Sequence, residues 1–211
     1  SDESSDLCYS DIGIFETPND GSSWSDISNN LQIGEMYGLG LSTTSATTVI
    51  SGWQDNGTNL SSSSWNESMG GDGMKCFIDW SNNSNMFGEQ YNGSLNRSTN
   101  GGASWHGISV STSETGAWVT PWWQDPNTSN TIYAGLVNIG KSTNLGTNWT
   151  QMGTIPGSDN VVQFAIAPSN SSVLYVAKTG GLYKTINGGT TWTTITGTLP
   201  IGLAQLTYVV I

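Results

Sequence analysis

The sequence has little positive charge. Only five of its 211 residues are Lys or Arg, against 16 Asp or Glu, which gives a formal net charge of -11. A surface of this sign repels phosphate backbones and anionic lipid head groups, so we expect no nucleic-acid partner and no binding to anionic membranes. Solubility is the expected role of the acidic residues, and collection of divalent cations is the alternative.

Histidine and cysteine are also scarce. His106 is the single histidine, and Cys8 and Cys76 are the only cysteines. This set excludes a zinc site built from His and Cys, and it disfavours Ser-His-Asp catalysis because we expect His106 at the surface. The cysteines fall in different copies of the repeat described below, so we expect two buried free thiols, with a disulfide as the alternative.

Long apolar runs are absent as well. No segment reaches the ~20 apolar residues that cross a bilayer, so we expect no membrane insertion. Gly, Ser, Thr and Asn dominate instead, together with ten Trp. The aromatic residues supply enough apolar surface to make disorder unlikely to win, and the Gly- and Thr-rich background predicts many short strands joined by tight turns.

A motif recurs along the chain: a hydroxyl residue, any residue, Asn, any residue, Gly, two further residues, and Trp. It occupies residues 17–24, 98–105, 142–149 and 185–192. The gap between the first two copies is twice the others, and Trp65 stands midway, preceded by Thr58 but with Leu60 and Ser62 in place of Asn and Gly. The chain therefore carries five copies of a repeat of about 42 residues.

The motif has the chemistry of a turn between two strands. Its Asn can bond to backbone N–H groups further along, its Gly accepts a positive φ, and its Trp opens the next strand. We assign these residues to structure rather than binding. They are Asn19, Gly21, Trp24, Trp65, Asn100, Gly102, Trp105, Asn144, Gly146, Trp149, Asn187, Gly189 and Trp192, and the five Trp are called the ladder Trp below.

Each repeat predicts four antiparallel strands, which in the fifth copy cover residues 160–167, 173–178, 181–186 and 191–196. Four such strands at this period form the blade of a β-propeller, so we predict an all-β, five-bladed propeller domain over residues 1–211. The repeats cover about 1–30, 31–69, 70–112, 113–156 and 157–200. Residues 201–211 form a strand that closes the first blade or begins another, so the ring is either complete or part of a larger one.

The motif resembles the Asp-box (BNR) repeat of sialidases, xyloglucan-cleaving endoglucanases, sortilin-type receptors and the photosystem II assembly propeller. Residues 52–58, 70–73 and 118–121 also look like secreted propellers of Bacteroidota, which the type IX system commonly exports within long multidomain proteins. The resemblance implies a β-propeller, an extracellular or cell-surface location and a longer parent chain with other domains. It implies no single activity, since proteins with this repeat do unrelated things.

The motif turns mark one end of the propeller as scaffold, so we expect function at the other end, which carries the turns between second and third strands and the loops between blades. The ligand-binding candidates there are Asp11, Asp55, Asn56, Asp72, Tyr91, Asn92, Trp53 and Trp118. Exposed aromatic rings with nearby Asp and Asn suit sugars. Packing between blades is the alternative explanation for the Trp residues.

The sequence favours a non-enzymatic binding or adhesion module that recognises glycan or an extracellular protein. A sialidase is excluded because the resemblance implies three Arg and the chain has only Arg97. A glycoside hydrolase with two carboxylates is the alternative, for which Asp55 with Asp72, or Asp11 with Asp72, are the pairs to test. A structural spacer or assembly subunit is the second alternative. We expect no cofactor, although calcium near Asp55 or Asp72 is compatible with the oxygen ligands.

Overall fold

The computed structural model describes residues 6–10, 13–29, 34–110, 113–199 and 209–211. These residues form nineteen short strands and no helix. Within this part of the chain, nothing helical has the length and apolar character that a membrane crossing would require. The predicted all-β class is confirmed.

The strands form five antiparallel sheets in which each strand pairs with its neighbour in sequence. The first sheet holds β1 (Asp6–Ser10), β2 (Gly13–Thr17) and β3 (Ser25–Asp26). The second holds β4 (Met36–Leu41), β5 (Val49–Trp53), β6 (Gly57–Ser61) and β7 (Trp65–Met69). The third holds β8 (Cys76–Ile78), β9 (Met86–Glu89), β10 (Leu95–Ser98) and β11 (His106–Ile108). The fourth holds β12 (Trp122–Gln124), β13 (Ile132–Gly135), β14 (Ile139–Ser142) and β15 (Thr150–Gln151). The fifth holds β16 (Val161–Ile166), β17 (Leu174–Lys178), β18 (Gly181–Thr185) and β19 (Thr193–Thr194).

This arrangement fits the predicted five-bladed β-propeller. The strands of the fifth repeat lie within the predicted ranges, shortened at their ends by one to three residues. The first sheet begins at a second strand, as predicted, and its described part has three strands. Most of the predicted closing strand at 201–211 lies outside the described residues, and 209–211 line a cavity with Trp123 and Gln163, so closure stays a prediction.

Each motif turn is closed by the same two hydrogen bonds. The hydroxyl oxygen of the first motif residue accepts from the N–H of the motif Gly at 2.8–3.0 Å. The Asn side-chain oxygen accepts from the N–H four residues further on, also at 2.8–3.0 Å. All four motif glycines have φ between 81° and 88°, a region that costs any other residue about 1–2 kcal/mol.

The core lies between adjacent sheets rather than within one. One cluster of buried side chains joins the second and third sheets, another the third and fourth, and a third the fourth and fifth. Trp105, Trp149 and Trp192 each pack against one of these clusters. Trp24 and Trp65 are about half exposed, which corrects the expectation that every ladder Trp packs against a neighbour.

Two further predictions about single residues are settled by the described structure. His106 is exposed, as expected. Both cysteines are free, but only Cys76 is buried, so the expectation of two buried thiols is wrong for Cys8, which is exposed on β1. Burial raises the pKa of the Cys76 thiol to about 12, which keeps it protonated and unreactive.

Replacing Gly102 by Ala should lower the free energy of unfolding by about 2–4 kcal/mol, because the left-handed conformation is strained and the new methyl group overlaps the preceding sheet. A Cβ at this position would lie 2.8 Å from Ser68 Oγ and 2.9 Å from Leu60 Cδ2. The matched control is Gly101→Ala, since Gly101 also has a positive φ (69°) but no atom within 4 Å of a new Cβ. Equal losses of stability in urea unfolding would show that packing at Gly102 contributes nothing.

Candidate functional site

The loop end of the molecule is formed by the turns between second and third strands and by the loops between sheets. In the second and third sheets these turns cover residues 54–56 and 90–94, and the adjoining loops cover 70–75 and 109–121. Seven of the eight predicted ligand-binding residues lie on or next to these segments. The eighth, Asp11, lies outside the described residues.

Asp72 and Asp55 are brought together, but through the backbone of Asp55. The Asp72 side chain accepts a hydrogen bond from the Asp55 N–H at 3.0 Å, and the Gly73 N–H donates to the Trp53 carbonyl at 2.9 Å. Asp55 itself has a φ of 58°, typical of an Asp in a tight turn. Asp72 therefore holds the turn that presents the exposed Asp55 and Asn56.

Trp53 is not part of an open aromatic surface. Its ring is half buried and lies so close to Gly34 that a Cβ there would stand 2.6 Å from the ring. Packing, the alternative interpretation of this Trp, describes it better than ligand binding.

Gln90 joins the second-sheet loop to the third-sheet turn. Its side-chain nitrogen donates to the Gly70 carbonyl at 3.1 Å, and its side-chain oxygen accepts from the Ser94 hydroxyl at 3.4 Å. The glycine pair at 70–71 permits this approach, because a Cβ on Gly71 would lie 2.9 Å from the Gln90 nitrogen. The loop containing Asp72 thus ends beside the turn that carries Tyr91.

Tyr91 and Trp118 form an exposed, stacked aromatic pair, which we call the platform. Their ring centroids are 5.4 Å apart with an interplanar angle of 19°, and each residue is 45% exposed. Two backbone bonds hold them: Asn92 N–H donates to the Trp118 carbonyl at 3.3 Å, and Gly116 N–H to the Asn92 carbonyl at 3.1 Å. The structure therefore brings together three predicted candidates, Tyr91, Asn92 and Trp118, from a turn and a loop.

A buried carboxylate fixes both segments of the platform from below. Glu89, fully buried at the end of β9, accepts the Thr120 N–H with both oxygens (2.9 and 3.0 Å) and the Gly93 N–H with one (3.2 Å). Thr120 and Gly93 each lie two residues from a platform ring. Burial raises the pKa of Glu89 to about 7, although the N–H donors oppose the shift.

Glu114 has an equivalent role on the same loop. Its carboxylate accepts from the N–H groups of Val137 and Asn138 at 3.1 and 3.0 Å, and from the Asn138 side-chain amide at 2.7 Å. The loop at 109–121 is thus tied to the third sheet through Glu89 and to the fourth through Glu114. Acidic side chains at this end hold backbone in place.

Lys75 lies over the Trp123 ring, with its ammonium nitrogen 3.5 Å from the ring centroid. Burial lowers the pKa of Lys75 to about 8, because the charged form loses hydration that the ring replaces only in part. Trp122, its neighbour on the opposite face of β12, is fully buried against Phe77 and Phe87. Both Trp residues pack between sheets, as the sequence predicted.

Glu89 escaped the sequence analysis. The signal was present, since β9 is a Met-Phe-Gly-Glu strand in which a single charge ends a buried segment, and such charges are almost always paired or hydrogen-bonded. The sequence alone could not name its partners, because Thr120 is thirty-one residues away. Among the described residues, no group of three or more His, Cys, Asp or Glu side chains is placed to hold a metal ion.

The sequence matches no family model and no curated protein. The fold is similar to solved β-propeller structures. An ancestral GH74 enzyme matches with a TM-score of 0.64 and 20% identity over 78% of this chain and 24% of that chain. The GH74 xyloglucanase from Xanthomonas campestris matches with 0.61 and 14% identity over 87% and 34%. The extracellular domain of BT4673 from B. thetaiotaomicron matches with 0.59 and 15% identity over 92% and 26%.

At such identities the likeness shows the fold alone. The chain spans about a quarter to a third of the length of these structures.

Glu89 should make stability depend on pH. Its pKa is about 7 when folded and about 4.3 when unfolded, so between these values the folded chain holds a proton that unfolding releases. The free energy of unfolding should therefore fall as pH rises from about 4.5 to 7, by at most about 3 kcal/mol. Urea unfolding at pH 5, 6, 7 and 8 measures this.

Glu89→Gln should remove that pH dependence, whereas Glu67→Gln, which changes an exposed acid on the neighbouring strand, should keep it. An unchanged slope in Glu89→Gln, or a slope of opposite sign in the unmodified chain, would contradict the assignment.

Proposed function

We propose that this chain is a non-enzymatic binding module that recognises an uncharged glycan through the Tyr91–Trp118 platform. The observation that carries the proposal is the pair of stacked rings, each 45% exposed at the loop end although both could have been buried. Large aromatic residues held open to solvent in fixed geometry are typical of ligand-binding surfaces rather than of packing.

The chemistry of the platform suits a sugar. The apolar face of a pyranose ring stacks on an aromatic ring, and its hydroxyl groups need hydrogen-bonding partners at the rim. Exposed Asn92 and the amide of Gln90 lie next to Tyr91 in sequence and supply such groups. The net charge of -11 repels uronic acids and sulfated sugars, which is why the proposal specifies an uncharged glycan.

The backbone contacts of the acidic side chains support a module without catalysis. Asp72, Glu89 and Glu114 each accept backbone N–H groups, which gives each of them a structural role. A retaining or inverting glycosidase needs two carboxyl groups that face the scissile bond, ~5–9.5 Å apart. The GH74 enzymes among the similar structures favour a hydrolase as the second candidate, with Asp55 and Asp72 as its pair.

Binding should be measured by calorimetry with xyloglucan oligosaccharides, unsubstituted β-glucan oligosaccharides and an oligouronide. We expect an uncharged oligosaccharide to bind and Trp118→Ala or Tyr91→Ala to weaken it at least tenfold, equivalent to about 1.4 kcal/mol. The matched control is Trp65→Ala, which removes another half-exposed Trp away from the loop end. Equal affinity in Trp118→Ala and Trp65→Ala would reject the platform.

The same sugars separate the alternatives. Reducing ends released from xyloglucan, and lost in Asp72→Asn, would favour the hydrolase over the binding module. A glycan panel without binding would reject the glycan and favour an extracellular protein as the partner.

The proposal includes an extracellular or cell-surface setting, which the extracellular domain among the similar structures supports, and it requires no cofactor. Retention of glycan binding in excess EDTA is the expected result. Loss of binding that calcium restores would instead indicate a calcium site near Asp55 or Asp72.

A further inference from the structure

Adjacent sheets meet through one recurring contact. The motif glycine of a sheet packs on the residue that follows the ladder Trp of the preceding sheet by three positions. A Cβ on Gly102 would lie 2.8 Å from Ser68, one on Gly146 would lie 2.8 Å from Ile108, and one on Gly189 would lie 2.6 Å from Met152. Only glycine lets the two sheets approach this closely.

The ladder Trp strengthens the same contact. Trp105 donates its indole N–H to the Ser68 hydroxyl at 3.0 Å, and Trp192 donates to the Met152 carbonyl at 2.8 Å. Each contact therefore has two complementary parts. We call the motif Gly and Trp the glycine side, and the residue three positions after the preceding Trp the strand side.

The glycine side of the first sheet is built but uncovered. The Thr17 hydroxyl accepts the Gly21 N–H at 2.9 Å, as in the other motif turns. A Cβ on Gly21, however, would meet only atoms of its own Trp24 at 3.8 and 3.9 Å, and Trp24 is 49% exposed. Among the described residues, no preceding strand lies against this surface.

The strand side of the fifth sheet has no counterpart in the chain either. Ile195 follows Trp192 by three positions, and its N–H donates to the Leu182 carbonyl at 2.8 Å, so its place in the sheet is defined. No copy of the motif follows it in the sequence. Nearby Ile186 and Leu199 are 68% and 44% exposed, which leaves an apolar edge.

The second sheet shows what happens when the glycine is missing. Ser62 occupies the glycine position, its Trp65 is 54% exposed, and Ile27, the strand side of the first sheet, is 39% exposed. The contact thus fails where the motif is degenerate. Gly21 and Trp24 belong to an intact motif, so their exposure calls for a partner rather than a defect.

We propose that the first sheet of one copy of this chain docks on the fifth sheet of a second copy, with Gly21 and Trp24 covering Ile195. A second copy is the occupant that carries the matching strand side, and within one copy the described sheets leave the two edges apart. The contact is head-to-tail, so it can repeat and place several platforms in one array. The charge of -11 opposes association, so assembly should strengthen with salt.

A disulfide tests the docking directly. In the fourth and fifth sheets, a Cβ on Gly153 would lie 3.6 Å from the Thr190 carbonyl. The equivalent positions across the proposed contact are Thr196 and Ser22. With exposed Cys8 replaced by Ser, the pair Ser22→Cys and Thr196→Cys should form disulfide-linked dimers and longer species on oxidation, joined between residues 22 and 196 by peptide mapping. The control pair, Ser22→Cys and Thr190→Cys, should remain monomeric because Thr190 faces the fourth sheet.

Sedimentation of the unmodified chain at 50 and 500 mM salt gives a second readout. Trp24→Ala should abolish association, whereas Trp65→Ala should leave it intact. A 22–196 disulfide confined to the monomer would overturn the proposal in favour of a ring that closes on itself. Absence of the disulfide, or equal association in Trp24→Ala and the unmodified chain, would overturn it in favour of free edges.

Discussion

Everything in this molecule depends on a glycine held at positive φ against the next sheet. The motif Gly donates its N–H to a hydroxyl oxygen within its own turn, and its missing side chain leaves the space that the preceding sheet fills. One residue therefore closes the hairpin and sets the distance between sheets. Because the apolar clusters lie between sheets, this distance also determines how well Phe87, Trp122 and Phe164 are buried.

A scaffold made of repeated contacts leaves the loop end free to vary. There the acidic side chains replace the motif as the means of holding backbone. Glu89 and Glu114 anchor one loop to two sheets, and that loop carries Trp118 to Tyr91. The rigidity of the platform thus comes from a buried carboxylate, and part of the stability of the loop is sensitive to protons near neutral pH.

The scarcity of positive charge has consequences at both ends. It limits the ligands that the platform can take, and it opposes any contact between copies. The cations that are present are used inside the fold: Lys75 stacks on Trp123, and Lys178 is buried and donates to the Gly157 carbonyl. The similar structures include enzymes and an extracellular domain, so this scaffold serves several activities and the loops decide among them.

The sequence by itself determined the period, the four strands of each repeat and the positions of the motif turns, because those depend on local φ preferences and hydrogen bonds within eight residues. It also supplied Tyr91, Asn92 and Trp118 as candidates. Only the tertiary structure decided that these three meet, that Trp53 packs inward, and that Glu89 lies beneath them, because each contact joins residues from different sheets or distant loops. Whether a Trp is covered, as Trp192 is and Trp24 is not, likewise depends on the neighbouring sheet rather than on the motif.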